Sequence, residues 1–80
     1  MMNMQELIMS IVKPIVDHPE DVQVRVDESE KRITYHLSVH ENDIGKVIGR
    51  QGRVAKAIRT VVYAAAGSKQ HKRIFLEIDE

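Results

Sequence analysis

Cysteine and tryptophan are absent from the 80 residues, proline occurs twice, and the aromatic side chains are limited to Tyr35, Tyr63 and Phe75. Without cysteine there is no disulfide, no thiolate nucleophile and no thiolate metal site, which agrees with a reducing compartment. No apolar run approaches the roughly 20 residues that a membrane-spanning helix needs. The opening residues carry Glu6 and no basic cluster, so neither an export leader nor a membrane anchor is expected, and a cytoplasmic location is. Phosphate loops of nucleotidases are also missing: Gly45-Lys46 is followed by Val47, and position 40 is His40 rather than glycine. A dinucleotide fingerprint would need glycine where Val47 stands. Ser10, Ser29, Ser38 and Ser68 have no histidine and carboxylate at a nucleophilic spacing, so an enzyme is not expected. His36 and His40, four residues apart on one predicted strand, would stand about 13 Å apart, too far to share a metal ion. His18 and His71 have no partner in the sequence, and neither a metal nor a cofactor is expected.

Net charge is zero, but the charges are segregated. Residues 1–43 hold four basic and nine acidic side chains; residues 44–76 hold Lys46, Arg50, Arg53, Lys56, Arg59, Lys69, Lys72 and Arg73 and no carboxylate. An acid-free stretch of this length is the footprint of a surface that meets phosphates. It also fits a solvated face that the acidic half balances on folding. The length allows one small domain over residues 1–80, burying only about 60% of the unfolded chain's surface, so a partner subunit would add stability.

Met4, Leu7, Ile8, Ile11, Val12 and Ile15 recur with helical spacing and predict a first helix up to Val16, distorted near Pro14. Val22, Val24 and Val26, then Ile33, Tyr35, Leu37 and Val39, alternate with polar residues around Glu28-Ser29-Glu30-Lys31 and predict an antiparallel hairpin. Asn42 or Asp43 is positioned to cap a short helical turn containing Ile44, Val47 and Ile48. A long helix follows from about Arg53, closed by Gly67, and a basic loop over Ser68 to Lys72 leads to a strand with Ile74, Leu76 and Ile78 on one face. The order is α-β-β-α-α-β: an α+β fold with one sheet and helices on one face, its first helix and strand spanning 4–28 and the remainder 32–79.

Three glycines fall within eight residues of Gly45-Lys46-Val47-Ile48-Gly49-Arg50-Gln51-Gly52, between two helical segments. Gly49 and Gly52 bracket the tip Arg50-Gln51, where bare backbone lets a phosphodiester approach, and the start of the next helix points its positive dipole end there. Lys46, Arg50, Arg53 and Lys56 supply cationic donors, and Ile44, Val47 and Ile48 an apolar floor for unstacked bases. A tight joint between two helices, with no ligand, accounts for the same glycines.

The string Val47-Ile48-Gly49-x-x-Gly52, with Gly45-Lys46 before it and a helix bearing Ile58 after it, resembles the K-homology (KH) domain. In that family a GxxG loop clamps about four nucleotides of single-stranded nucleic acid. The element order is that of the type II arrangement. Over its whole length, including Lys13-Pro14-Ile15-Val16-Asp17-His18-Pro19-Glu20-Asp21-Val22, the chain is similar to the KhpA family of small stand-alone bacterial KH proteins. The resemblance implies a three-stranded sheet, single-stranded RNA as partner and contact through Lys46, Gly49, Arg50, Gln51, Gly52, Arg53 and Lys56 over Ile44, Val47 and Ile48. It further implies self-pairing, association with a larger Jag-like KH protein, and links to RNA chaperoning, post-transcriptional regulation, cell-wall homeostasis and cell shape. None of the three aromatics falls in the clamp, so base stacking there should be weak and sequence preference low.

The apolar arc of the helix 53–66 is wider than the roughly 100° one core contact occupies. A second copy, or another KH protein, is expected against Ala55, Ile58, Arg59, Val62 and Ala66, unless the sheet and first helix cover them. Two further readings stand at this point: a degenerate KH fold acting as a protein-interaction module, and a single-stranded DNA binder.

Overall fold

The computed structural model describes residues 3–67 and 72–79. Helix α1 (Met4–Val12) starts where the Asn3 side chain accepts a hydrogen bond from the Glu6 N–H at 2.8 Å. Pro14 then has its expected effect: the chain tightens into a 3-10 turn, Lys13–Ile15, so the α-helix stops short of Val16 and Ile15 is left 41% exposed instead of joining the packed stripe. After a 3-10 turn at Pro19–Asp21, strands β1 (Gln23–Glu28) and β2 (Arg32–Ser38) form the hairpin, with Val24 opposite Leu37 and Val26 opposite Tyr35. A 3-10 turn (Glu41–Asp43), α2 (Ile44–Ile48), a 3-10 turn (Arg50–Gly52) and α3 (Arg53–Ala66) follow, and β3 (Arg73–Ile78) ends the fold. Gly67 closes α3 at φ +71° as expected; Ser68, Lys69, Gln70 and His71 of the predicted basic loop lie outside the described residues.

Sheet order is β1-β2-β3, with β1 antiparallel and β3 parallel to β2. The parallel pair requires a crossover, and α2 and α3 supply it. Ile8 and Val12 of α1, Val47 of α2, Ile58 and Val62 of α3, Leu37 and Leu76 of the sheet and the flanking Val16 and Val22 make one buried cluster. All helices therefore pack on the face that carries Leu37 and Leu76. The alternation in β1 holds only in part: Val22 is buried, but Val26 is 38% exposed because α1 does not extend over that end of the edge strand. Each edge is blocked by a helix side chain. Gln5 Nε2 donates to the Val24 carbonyl at 3.0 Å, Arg59 Nε donates to the Leu76 carbonyl at 3.1 Å, and the Leu76 N–H donates to Tyr63 Oη at 3.4 Å.

Asp43 does not cap α2 as expected. Its side chain has no solvent exposure and turns back to the loop after α1, where the Asp17 N–H donates to Oδ1 at 3.2 Å and the His18 N–H to Oδ2 at 2.9 Å. Burial by itself would raise its pKa; the two backbone bonds, with His18 and Lys46 nearby, outweigh burial and hold the carboxyl below its ordinary value. A depressed carboxyl contributes stability that is complete above its unfolded pKa and is lost as pH falls through the folded one. Melting temperature should thus drop through and below the ordinary carboxylate range. In Asp43→Asn, whose single acceptor oxygen cannot serve both N–H groups, it should be lower at neutral pH and flatter across that acid limb. Thermal melts of both chains across the pH series check this, and equal melting temperatures at neutral pH would remove the role given to Asp43.

Candidate nucleic-acid interface

The glycines of the α2–α3 joint are not equivalent. Gly49 sits at φ +75° with extended ψ, and a Cβ there would lie 2.5 Å from Val54 Cγ2 and 2.9 Å from the Val54 backbone nitrogen. It is glycine because the end of α2 presses on the first turn of α3. Gly52, at φ +73°, has nothing within 4 Å of a built Cβ, so its face is the open one. Between them Gln51 is held at φ +56°, a left-handed conformation costing a non-glycine residue about 1 kcal/mol or more. The bare-backbone reading therefore divides: Gly49 serves the helix–helix contact, and Gly52 leaves room for a ligand.

Arg50 and Gln51 are exposed at the tip, and Arg53 and Lys56 are exposed on the first turns of α3. Among the described residues these three cations make no ion pair. The first turn of α3 has no acidic residue and no side-chain cap, so the positive end of its dipole faces the same corner. Not all of the N–H groups at this corner are free: the Gly52 N–H bonds the Gly49 carbonyl at 3.3 Å and the Arg53 N–H bonds the Arg50 carbonyl.

The structure revises three other predicted roles. Val47 is fully buried and supports the floor from beneath, leaving the half-buried Ile44 and Ile48 as its surface. The Lys46 ammonium is hydrogen-bonded to Asp17 and lies 3.6 Å from Asp43 Oδ1; the Asp17 bond, followed by attraction to both carboxylates, raises its pKa. A phosphate must compete with those carboxylates for it. His40 leaves the sheet after β2 and does not share a strand face with His36; its ring stacks on His18 with centroids 4.0 Å apart. Among the described residues no group of three metal-ligating side chains gathers. Asp17, Asp43 and Val54 are the members of this corner that sequence reasoning missed. The hydrogen bonds of the first two span 25 or more residues of the chain, where no local pattern could signal them.

The face expected to receive a second copy is also corrected. Ala55, Ile58 and Val62 are 4%, 3% and 0% exposed in the single chain, the last two packed in the core cluster with α1 and the sheet; Arg59, engaged with the Leu76 carbonyl, and Ala66 keep partial exposure. The apolar surface that α3 leaves open carries Ala57, Val61, Ala64 and Ala65, with Val61 at 47%.

A family model described as "KhpA/KhpB, KH domain" matches residues 5–78, which takes in both glycines, all three helices and the sheet. The chain belongs to the KhpA/KhpB KH-domain family. Its relatives in that family include "RNA-binding protein KhpA" of Listeria monocytogenes, 62% identical over 77 residues that cover 96% of this chain and all of the relative. The protein of the same description from Bacillus subtilis is 51% identical over 76 residues, covering 95% of this chain and 93% of the relative. Among solved structures, an Era variant of Aquifex aeolicus bound to GDP.AlF4- superposes with a TM-score of 0.70 at 17% identity, over 94% of this chain and 29% of that one. At that identity the likeness concerns the fold alone.

The difference between the glycines is directly measurable. Gly49→Ala should destabilise the fold by about 1–3 kcal/mol through backbone strain and the collision with Val54. Gly45→Ala, in α2 with nothing within 4 Å of its Cβ, should be neutral or stabilising by about 0.5–1 kcal/mol. Urea unfolding of the two variants checks the order, and equal midpoints would contradict it.

Proposed function

We propose that this chain is a non-catalytic binder of single-stranded RNA, with the strand's backbone seated on the Gly49–Gly52 turn. The observation that carries the reading is the corner itself. An open glycine face at Gly52, a left-handed tip, the start of α3 and the exposed cations Arg50, Arg53 and Lys56 converge on one spot with no carboxylate on its tip or first turn. The description of the relatives as RNA-binding supports RNA as the polyanion. Ile44 and Ile48 meet the bases, and aliphatic contact in place of stacking gives low sequence preference. Lys46 joins the phosphate contacts when RNA draws it from Asp17. A DNA strand would fit the same turn, and RNA of matched sequence is distinguished by its 2′-hydroxyls.

The open stripe Ala57, Val61, Ala64 and Ala65 favours a second role as the surface for another copy of this chain or a larger Jag-like KH protein. Two linked clamps raise apparent affinity through effective concentration. In keeping with the family resemblance, the protein acts in the cytoplasm in RNA chaperoning and post-transcriptional control, with consequences for cell-wall homeostasis and cell shape.

Replacing Arg50 and Gln51 together by aspartate should abolish RNA binding by repulsion while the fold persists, since both side chains are exposed. Fluorescence anisotropy with a labelled oligoribonucleotide, alongside a thermal melt, reads both; a folded double variant that binds like the parent would refute the clamp. Parent affinity should also fall steeply with salt as counterions are released. Val61→Glu should convert a dimer to a monomer in light scattering, and an unchanged mass would argue against the α3 surface.

A further inference from the structure

Among the described residues no helix covers the sheet face opposite Leu37 and Leu76, and its hairpin end combines features that the clamp does not use. Arg32 and Arg73 are directly opposed neighbours on the parallel β2–β3 pair, two like charges side by side, an arrangement that costs sheet stability. Both have the parity of Thr34, so they project away from the face of Leu37 and Leu76. Phe75, one pleat further along β3, lies beside Thr34 on the same open face and is only half-buried. An open groove of about 510 Å³ is lined by Arg32, Arg73 and Phe75 with Lys31 and Glu30. Three cations thus face one groove carboxylate; on the same sheet face, Asp27 stands opposite Thr34 and Glu77 two residues beyond Phe75. Among the described residues Arg32 and Arg73 make no ion pair. Paired guanidiniums beside an accessible ring match a phosphate next to an unstacked base, the combination used to hold single strands without sequence preference.

We propose that this groove is a second contact for single-stranded RNA, in which Arg32 and Arg73 hold phosphate and Phe75 stacks a base. The proposal rests on the reading of the chain as an RNA binder. The two sites are separated. The clamp lies at the N-terminal end of α3, a 14-residue helix about 21 Å long, and β3 begins beyond the other end, with the sheet between its open face and the helices. Four nucleotides in the clamp cannot reach the groove, whereas a longer strand, or a second strand, can. A protein holding RNA at two remote places can bring two segments together.

The test compares a tetranucleotide with an oligoribonucleotide of about 16 nucleotides, titrated by fluorescence anisotropy across a salt series. The proteins are the parent, Arg32→Gln/Arg73→Gln and Phe75→Leu. Replacing both opposed like charges by neutral side chains should not harm folding, and a thermal melt checks this. For the longer RNA, the double variant should lose about 1.4 from the slope of log affinity against log salt, at about 0.7 per phosphate contact. Phe75→Leu should weaken that RNA about fivefold, and the tetranucleotide should be unaffected by either change. Unchanged slope and affinity for the longer RNA, with tetranucleotide binding intact, would overturn the second contact and leave the clamp standing. Absence of binding by the parent to either RNA would overturn both readings.

Discussion

The close approach of Gly49 to Val54 is the constraint on which the rest of the corner depends. With 2.5 Å between a hypothetical Cβ and the Val54 side chain, no other residue lets the end of α2 lie against the first turn of α3. That contact makes the connection short enough to need three positive φ values in four residues, at Gly49, Gln51 and Gly52. The tip is in turn forced outward, and Arg50 and Gln51 are exposed there because the backbone has nowhere else to go. The cost of a left-handed glutamine is offset by the packing of Val47, Ile58 and Val62 behind it, which holds both helices in place.

The second determinant is electrostatic. Asp43 is a fully buried carboxylate that joins the loop after α1 to the start of α2, and it is tolerable in the interior because two N–H groups and the nearby Lys46 satisfy it. The acidic half of the chain is therefore not spread evenly over the basic half. Asp17 and Asp43 gather around Lys46, whereas Arg50, Arg53 and Lys56 make no ion pair among the described residues. Of the two readings of the acid-free stretch, solvated face or phosphate surface, balancing carboxylates reach only its first cation at this corner. The open sheet face repeats the pattern on a smaller scale, with Arg32 and Arg73 opposed across two strands.

Much of the fold was legible in the sequence because it rests on local rules. Period two marked the hairpin and the last strand, period 3.6 marked α1 and α3, Pro14 marked a distortion near the end of the first helix though not its end at Val12, and Gly67 marked the end of α3. The GxxG spacing marked the tight turn between α2 and α3, because the left-handed backbone there restricts residue choice within a few positions. Misreadings arose where a side chain's partner is remote. Asp43 has the residue type of a helix cap but is drawn away by N–H groups of residues 17 and 18. Ile58 and Val62 looked surplus to one core contact, because a wheel cannot show that α1 and the sheet both pack against the same helix. Arg59 looked like an interface residue and instead blocks the edge of β3.

Residue order alone therefore determined the elements, the place of the left-handed turn between α2 and α3 and the segregation of charge, since each depends on backbone preferences or composition within a short window. Tertiary structure decided which glycine faces another helix and which faces solvent. It also decided which cations are already paired, which face of α3 is free, and that Arg32 and Arg73 meet. Those outcomes depend on distances between segments tens of residues apart, and such distances are set only when the sheet register and the packing of three helices are satisfied together.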